Sequence, residues 1–154
     1  MRDDVLLNKA AAIERCVARA KEEYNIDPRS FVSNFSRQDA AILNIQRACE
    51  AALDIGQHLI RREQLGVPQS ARDVFELLAK SEWIERSLAE ALKRMIGFRN
   101  IAIHEYQSLQ HEITVKIITD HLDEFLQYTA EILTKNSRAF KILCQVNLNL
   151  QHAV

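Results

Sequence analysis

The stretch from Ile42 to Ile60, ILNIQRACEAALDIGQHLI, decides the fold that this sequence predicts. Its apolar residues recur at helical spacing and cover a wide arc of the helix surface: Ile42, Leu43, Ile45, Ala48, Cys49, Ala52, Leu53, Leu59 and Ile60. A helix at the protein surface buries only one apolar stripe. We therefore expect this helix to lie at the centre of the molecule, packed against more than one neighbour.

Four further helical patterns flank this stretch, most of them with a start signal. Asp3 or Asp4 is predicted to cap the first helix. Ser36-Arg37-Gln38-Asp39 has the spacing of a capping box and predicts the start of the central helix. Ser70 and Ser87 are predicted to start two later helices. The predicted helices cover roughly residues 3–24, 36–65, 70–80, 87–106 and 112–135.

These patterns predict an all-α domain over residues 1–135, an antiparallel four-helix bundle with one additional short helix. Only three glycines and two prolines interrupt the chain, which favours long helices. Residues 136–154 form a C-terminal tail that mixes apolar side chains with asparagine and lacks a clear cap. The sequence leaves open whether this tail is a short extra helix, a partner-binding segment or disordered.

Charge and composition exclude some classes of function. The net charge of −1 rules out nucleic-acid binding by bulk charge, so RNA or DNA contacts require a local basic patch. No signal peptide and no run of about 18 apolar residues is present. The three cysteines lack metal-ligand spacing. We expect a cytoplasmic protein with no membrane segment, no metal and no cofactor.

The chemistry of the chain is concentrated in Gly97-Phe98-Arg99-Asn100-Ile101-Ala102-Ile103-His104-Glu105-Tyr106. The apolar stripe of this helix, extended by three or four residues, reaches Arg99, where an apolar side chain is due. At about 100° per residue, Arg99 and Tyr106 share one row of the helix, and Asn100 and His104 form an adjoining row. A sequence often breaks its own pattern at a functional place.

Residues of these types suit phosphodiester chemistry. His104 can move protons near neutral pH, and Arg99 can hold a phosphate through two hydrogen bonds. Asn100 can orient the substrate or the histidine. One histidine does not easily act as base and acid at once, but two copies facing each other in a symmetric dimer would supply both. Arg86, Lys93 and Arg94 on the same helix can help to attract RNA.

Structural roles are also open for these residues. Arg99 can pair with an acidic residue of the bundle such as Asp39 or Glu50. His104 can be a helix-end histidine that the helix dipole stabilises, and Tyr106 a boundary tyrosine with a wet hydroxyl. Asp39 is explained as part of a helix cap and stays outside the predicted site.

The residues Arg99-Asn100, His104 and Tyr106 resemble the Arg-x4-His-x-Tyr motif of HEPN domains. The wider pattern is similar to the HepT branch of these domains over roughly residues 5–134. Its further matches are Gln38-Asp39-Ala40, Asn44-Ile45-Gln46-Arg47, Glu50-Ala51, Leu65-Gly66-Val67-Pro68-Gln69-Ser70 and Met95-Ile96-Gly97-Phe98.

The resemblance implies a homodimeric HEPN bundle with Arg99, Asn100 and His104 of both subunits lining a shared cleft. It implies a metal-independent endoribonuclease toxin that cuts transfer RNA or messenger RNA and leaves a cyclic phosphate and a 5′-hydroxyl. The implied partner is a minimal nucleotidyltransferase (MNT) antitoxin of MntA type, which transfers AMP from ATP to Tyr106. The alternatives are a non-catalytic HEPN module that partners a nucleotidyltransferase and a purely structural helical protein.

Overall fold

A computed structural model describes residues 2–153 of the chain, which are helical throughout apart from short connections. The α-helices are α1 (Asp4–Asn25), α2 (Phe35–Glu63), α3 (Ala71–Lys80), α4 (Arg86–His104), α5 (His111–Lys116) and α6 (Asp123–His152). Short 3₁₀ turns at Phe31–Ser33 and Tyr106–Ser108 precede α2 and α5, and a π-helical turn at Ile117–His121 joins α5 to α6. The all-α bundle with an additional short helix, α3, is confirmed.

Helix α2 is the central element, as its wide apolar arc predicts. It packs against α1, α3, α4, α5 and α6, and Ile45, Ile55 and Leu59 on it are fully buried. Leu43 is an exception to the predicted arc, since it is 43% exposed. The buried Tyr128 of α6 also packs against this helix, and its hydroxyl donates a hydrogen bond to the carbonyl of Ala52 at 2.8 Å.

The helix starts show which predicted caps were correct. Asp3 caps α1 by accepting from the N–H of Leu6 at 3.2 Å, and Ser70 caps α3. The predicted capping box at residues 36–39 is wrong, because α2 begins at Phe35 and Asn34 is its cap, accepting from the N–H of Arg37 at 3.1 Å. The preceding 3₁₀ turn delivers Asn34 in an extended conformation, which an N-cap requires.

The other start, at Ser87, is also wrong by one residue. Helix α4 begins at Arg86, and Glu85 precedes it with no side-chain cap bond. The N–H of Glu85 instead donates to the Glu131 carboxylate of α6 at 2.9 Å. A long-range contact therefore fixes the entry to α4 where a local cap was predicted.

The last helix is longer than the predicted span of residues 112–135. It corresponds to α5, the π-helical turn and α6 together, which run from His111 to His152. Among the side chains that the structure describes, Ile132 is the last that is fully buried, whereas Ile142 and Leu150 are 65% and 61% exposed. The tail thus continues α6 as a helix with exposed apolar side chains. Within residues 2–153, no helix is both long enough and apolar enough to cross a membrane.

Candidate active site

Arg99 lies on α4 against the central helix α2. Its Nε–H donates to Oε1 of Glu50 at 2.6 Å, and its side chain is 22% exposed. The sequence offered Asp39 or Glu50 as the partner of Arg99, and the structure shows Glu50. The pair explains how a cation sits where the helix pattern calls for an apolar residue, since a partly buried guanidinium requires an acceptor.

Asn100 holds the same guanidinium from a second direction. Its Oδ1 accepts from Nη1 of Arg99 at 3.1 Å. Together the two acceptors use the Nε–H and one Nη1–H of the guanidinium, and within residues 2–153 Nη2 makes no hydrogen bond. The remaining donors can therefore bind the oxygens of a phosphate without breaking either contact.

His104 is the last residue of α4 and is exposed. Its ring has no hydrogen bond to another residue in the described part of the chain. Four residues separate it from Asn100, so the two side chains lie on one side of the helix, about one turn apart. The imidazole is therefore open to solvent on the side of the helix that carries Asn100.

Tyr106 does not share a helical row with Arg99, which corrects the prediction. Helix α4 ends at His104, and Tyr106 begins the following 3₁₀ turn. The residue is 43% exposed, and its hydroxyl donates a hydrogen bond to the Asp39 carboxylate of α2. Partial burial and the hydrogen bond and negative charge of Asp39 together raise the pKa of Tyr106 to about 12.

Two carboxylates of α2 thus bond the first and last residues of the motif, Arg99 and Tyr106. Asp39 and Glu50 are eleven positions apart, about three helical turns, so they lie on the same face of α2. Because α2 and α4 run antiparallel, Glu50 meets Arg99 and Asp39 meets Tyr106. Asp39 lies outside the site predicted from the sequence, where it is explained as part of a helix cap. The eleven-residue spacing of Asp39 and Glu50, which places both on one face of α2, could have indicated its role.

A basic groove lies beside this site, between α1 and α2. It has a volume of about 660 Å³, and its charged lining residues are Lys9, Arg15, Arg19, Arg47, Asp54 and Glu50, the partner of Arg99. Lys9 pairs with Asp54 and Arg19 with Glu23, which leaves the basic character to Arg15 and Arg47. Arg15 and Arg47 are exposed and make no ion pair within residues 2–153. This is the local basic patch that RNA contacts would require in a chain of near-zero net charge.

The basic residues that the sequence suggested on α4 are less available. Glu76 of α3 pairs with both Arg86 and Lys93, and Glu90 pairs with Lys93 at 3.0 Å. These contacts neutralise the two cations. Arg94 remains exposed, on the rim of a small apolar pocket between α4 and α5. The attraction of RNA by α4 alone is therefore weaker than the sequence suggests.

No group of three His, Cys, Asp or Glu side chains that could hold a metal ion occurs within the described range. The expectation of metal-independent chemistry stays a prediction.

The bundle has the arrangement of a HEPN-type domain. Arg99 of α4 is bonded to the central helix α2, His104 ends α4, and Tyr106 lies in the turn that follows. The model of the ribonuclease HepT-like family matches residues 13–132 of the chain. The chain belongs to this family.

Relatives of known identity agree with this assignment. The chain is 46% identical over 126 residues to the mRNA nuclease HepT of Shewanella oneidensis, covering 82% of this chain and 94% of that protein. It is 23% identical over 128 residues to the tRNA nuclease HepT of Aphanizomenon flos-aquae, covering 83% and 87% of the two chains. The tri-AMPylated HEPN toxin of S. oneidensis, solved in complex with an MNT antitoxin, superposes with a TM-score of 0.83. Identity to it is 44%, over 86% of this chain and 99% of that one.

Proposed function

We propose that this chain is the endoribonuclease toxin of a toxin–antitoxin pair and that Arg99, Asn100 and His104 carry its chemistry. The observation that supports this most directly is the arrangement around Arg99. Two acceptors hold its guanidinium in place, and within residues 2–153 its Nη2 makes no hydrogen bond. The exposed His104 ends the same helix. A preorganised cation of this kind stabilises charge that develops on phosphate oxygens in a transition state.

The reaction is attack by a ribose 2′-hydroxyl on the adjacent phosphorus. The 2′-oxygen forms a bond to phosphorus, and the bond from phosphorus to the 5′-oxygen breaks, which leaves a cyclic phosphate and a 5′-hydroxyl. Arg99 binds the non-bridging oxygens, and Asn100 keeps the guanidinium in position. His104 transfers a proton to or from a reacting oxygen. A homodimer brings a second His104 to the same cleft, so that one imidazole acts as base and the other as acid.

The RNA backbone follows the basic groove of Arg15 and Arg47 towards Arg99. Phosphates bound there by exposed cations position the strand without reading its sequence. The two nuclease relatives act on different RNAs, one on mRNA and one on tRNA. This groove makes no base-specific distinction between those classes, and both are substrates to test.

Tyr106 is the switch that silences the enzyme. We propose that an MNT antitoxin of MntA type transfers AMP from ATP to its hydroxyl. The residue is 43% exposed, so a partner protein can approach it. An added adenylyl group places bulk and negative charge two residues from His104, at one end of the site, which repels RNA phosphates. The AMPylated state of the S. oneidensis toxin supports this assignment.

The site belongs to residues 1–135, and residues 136–154 are an addition to the catalytic domain. The family model ends at residue 132, and the described side chains beyond Lys135 are largely exposed. The protein acts in the cytoplasm, where both its RNA substrates and the ATP for its neutralisation occur.

The test compares wild-type chain, freed of AMP, with Arg99→Ala and His104→Ala on transfer RNA and messenger RNA in the presence of EDTA. Both variants are expected to lose cleavage while they remain folded and dimeric. Arg61→Ala is the matched control, because Arg61 is an exposed arginine at the far end of α2. Wild-type chain that cleaves neither RNA without metal would refute the proposal.

A further inference from the structure

Asp39 lies on the second turn of α2 and is exposed, so its carboxylate is not required by the packing of the bundle. Its role as a cap is excluded, since Asn34 performs that task. The contact that the structure does show for it is with the hydroxyl of Tyr106, 67 residues away in the chain. The Asp39 carboxylate therefore contacts the Tyr106 oxygen, which is the atom that must act as nucleophile in the proposed modification.

AMP transfer to a tyrosine requires that the phenol lose its proton. The pKa of Tyr106, about 12, keeps this hydroxyl protonated at neutral pH. The neutral phenol is a weak nucleophile, and a neighbouring base that takes the proton during attack removes this difficulty. Within residues 2–153, Asp39 is the group that hydrogen-bonds the hydroxyl.

We propose that the Asp39 carboxylate is the general base that accepts the Tyr106 proton during AMP transfer, an inference that rests on the proposed modification of Tyr106. Oη of Tyr106 forms a bond to the α-phosphorus of ATP. The bond from that phosphorus to the bridging oxygen breaks, and pyrophosphate leaves with the electron pair. The hydroxyl proton moves to Asp39. The toxin thereby contributes a catalytic group to its own neutralisation, and the nucleotidyltransferase supplies bound ATP.

The arrangement also separates the two activities of the site along α2. Glu50 holds the arginine proposed for RNA cleavage, and Asp39, three turns earlier, holds the tyrosine proposed for modification. After modification Tyr106 no longer has a proton to donate, and the new phosphodiester and Asp39 are both anionic. Their repulsion turns the adenylyl group away from α2, towards the open side of the site.

The experiment measures the initial rate of AMP addition to the AMP-free chain by the cognate MNT antitoxin with ATP, by intact mass and peptide mapping. Asp39→Asn is expected to lower the maximal rate about 100-fold at pH 7, with an unchanged KM for ATP. Asp120→Asn, which removes another exposed aspartate, is the matched control and keeps the wild-type rate. Thermal unfolding verifies that both variants fold.

Two further readouts distinguish proton transfer from simple positioning. The rate of Asp39→Asn is expected to rise about tenfold per pH unit above pH 7, because the reaction then depends on the ionised phenol. The wild-type rate has no such slope. Added formate is expected to restore the rate of Asp39→Ala, since it can take the place of the missing carboxylate.

Two results would overturn the inference while the modification itself stands. One is a wild-type rate for Asp39→Asn. The other is a slow variant with no pH slope and no rescue by formate, which is the behaviour of a residue that only holds the turn. Wild-type chain that gains AMP elsewhere, or none at all, refutes the modification of Tyr106 and the role of Asp39 together.

Discussion

The Nε–H of Arg99 on α4 donates to Oε1 of Glu50 on α2 at 2.6 Å, across 49 residues of sequence. The carboxylate is 45% exposed, so the pair is reached by solvent and contributes little to folding. The main effect of the pair is to orient the Arg99 guanidinium, which is proposed to bind phosphate. Contacts of this kind affect catalysis more than stability.

Removing the Glu50 carboxylate is therefore expected to slow RNA cleavage. We predict that Glu50→Ala lowers kcat about tenfold and that Glu50→Gln, which retains an acceptor, loses less. The free energy of unfolding changes by less than about 1 kcal/mol. Glu63→Ala at the exposed end of α2 serves as control in a fluorescent RNA-cleavage assay. A faster Glu50→Ala enzyme would show that the carboxylate competes with phosphate for Arg99.

The basic groove is tested by Arg47→Ala, measured against Arg61→Ala on the same helix. Both arginines are exposed, but only Arg47 lines the groove beside Glu50. We predict a higher KM for RNA with Arg47→Ala and a salt dependence of binding that is weaker by about 0.7 in log–log slope, as for one lost phosphate contact to single-stranded RNA. Equal effects of the two substitutions would exclude the groove as an RNA path.

Acid stability should depend on Asp3, which joins α1 to α2. Burial raises the pKa of this carboxyl, but hydrogen bonds from His58, the Leu6 N–H and Arg62 outweigh it and lower the pKa from 3.8 to about 2. A group with a lowered folded-state pKa stabilises the protein above its unfolded pKa, and this stabilisation is lost as pH falls from about 4 to about 2.

We predict that Asp3→Asn lowers the free energy of unfolding by about 2 kcal/mol at pH 7 and by much less near pH 2. Urea unfolding at both pH values measures the difference. Asp4→Asn is the adjacent control, since the Asp4 side chain is 74% exposed and pairs only with Arg2 in the described chain. A loss of equal size at both pH values would contradict the pKa argument.

The contact of α2 with α3 is close at Gly56. A Cβ at this position would lie 2.3 Å from Cγ1 of Val74, so the Val74 side chain or the helix that carries it would have to shift. We predict that Gly56→Ala costs about 1–3 kcal/mol of unfolding free energy and that Val74→Ala in the same chain recovers part of it. In Gly97→Ala the nearest atom is the flexible end of Arg72 at 3.3 Å, so stability there is retained or increased.

The C-terminal tail is expected to be dispensable for the fold and for cleavage. A chain ending at Lys135 keeps the buried Ile132 and the Lys135 Nζ, which donates to the carbonyls of Ser81 and Glu82 at 3.1 and 2.7 Å. We predict a change in unfolding free energy below about 1 kcal/mol. A chain ending at Glu131 loses both features and should be clearly less stable. If removal of residues 136–154 alone abolished cleavage, the tail would be required for activity and the prediction would be wrong.

Helical periodicity accounts for what could be predicted of this fold. The wide apolar arc of residues 42–60 identified the buried central helix, and the interrupted stripe identified Arg99 as an unusual residue. Both signals are local, since they depend on which side chains share a helix face. The starts of α2 and α4 were mispredicted because several polar residues near each start can serve as caps, and the neighbouring turn or helix selects among them.

By itself, then, the sequence determined the all-α bundle, its central helix and the motif at the end of α4. The tertiary structure decided which carboxylates meet that motif: Glu50 for Arg99 and Asp39 for Tyr106. The physical reason is register. Buried side chains between two antiparallel helices set how far one slides along the other, and a shift of one turn, about 5.4 Å, would separate both pairs.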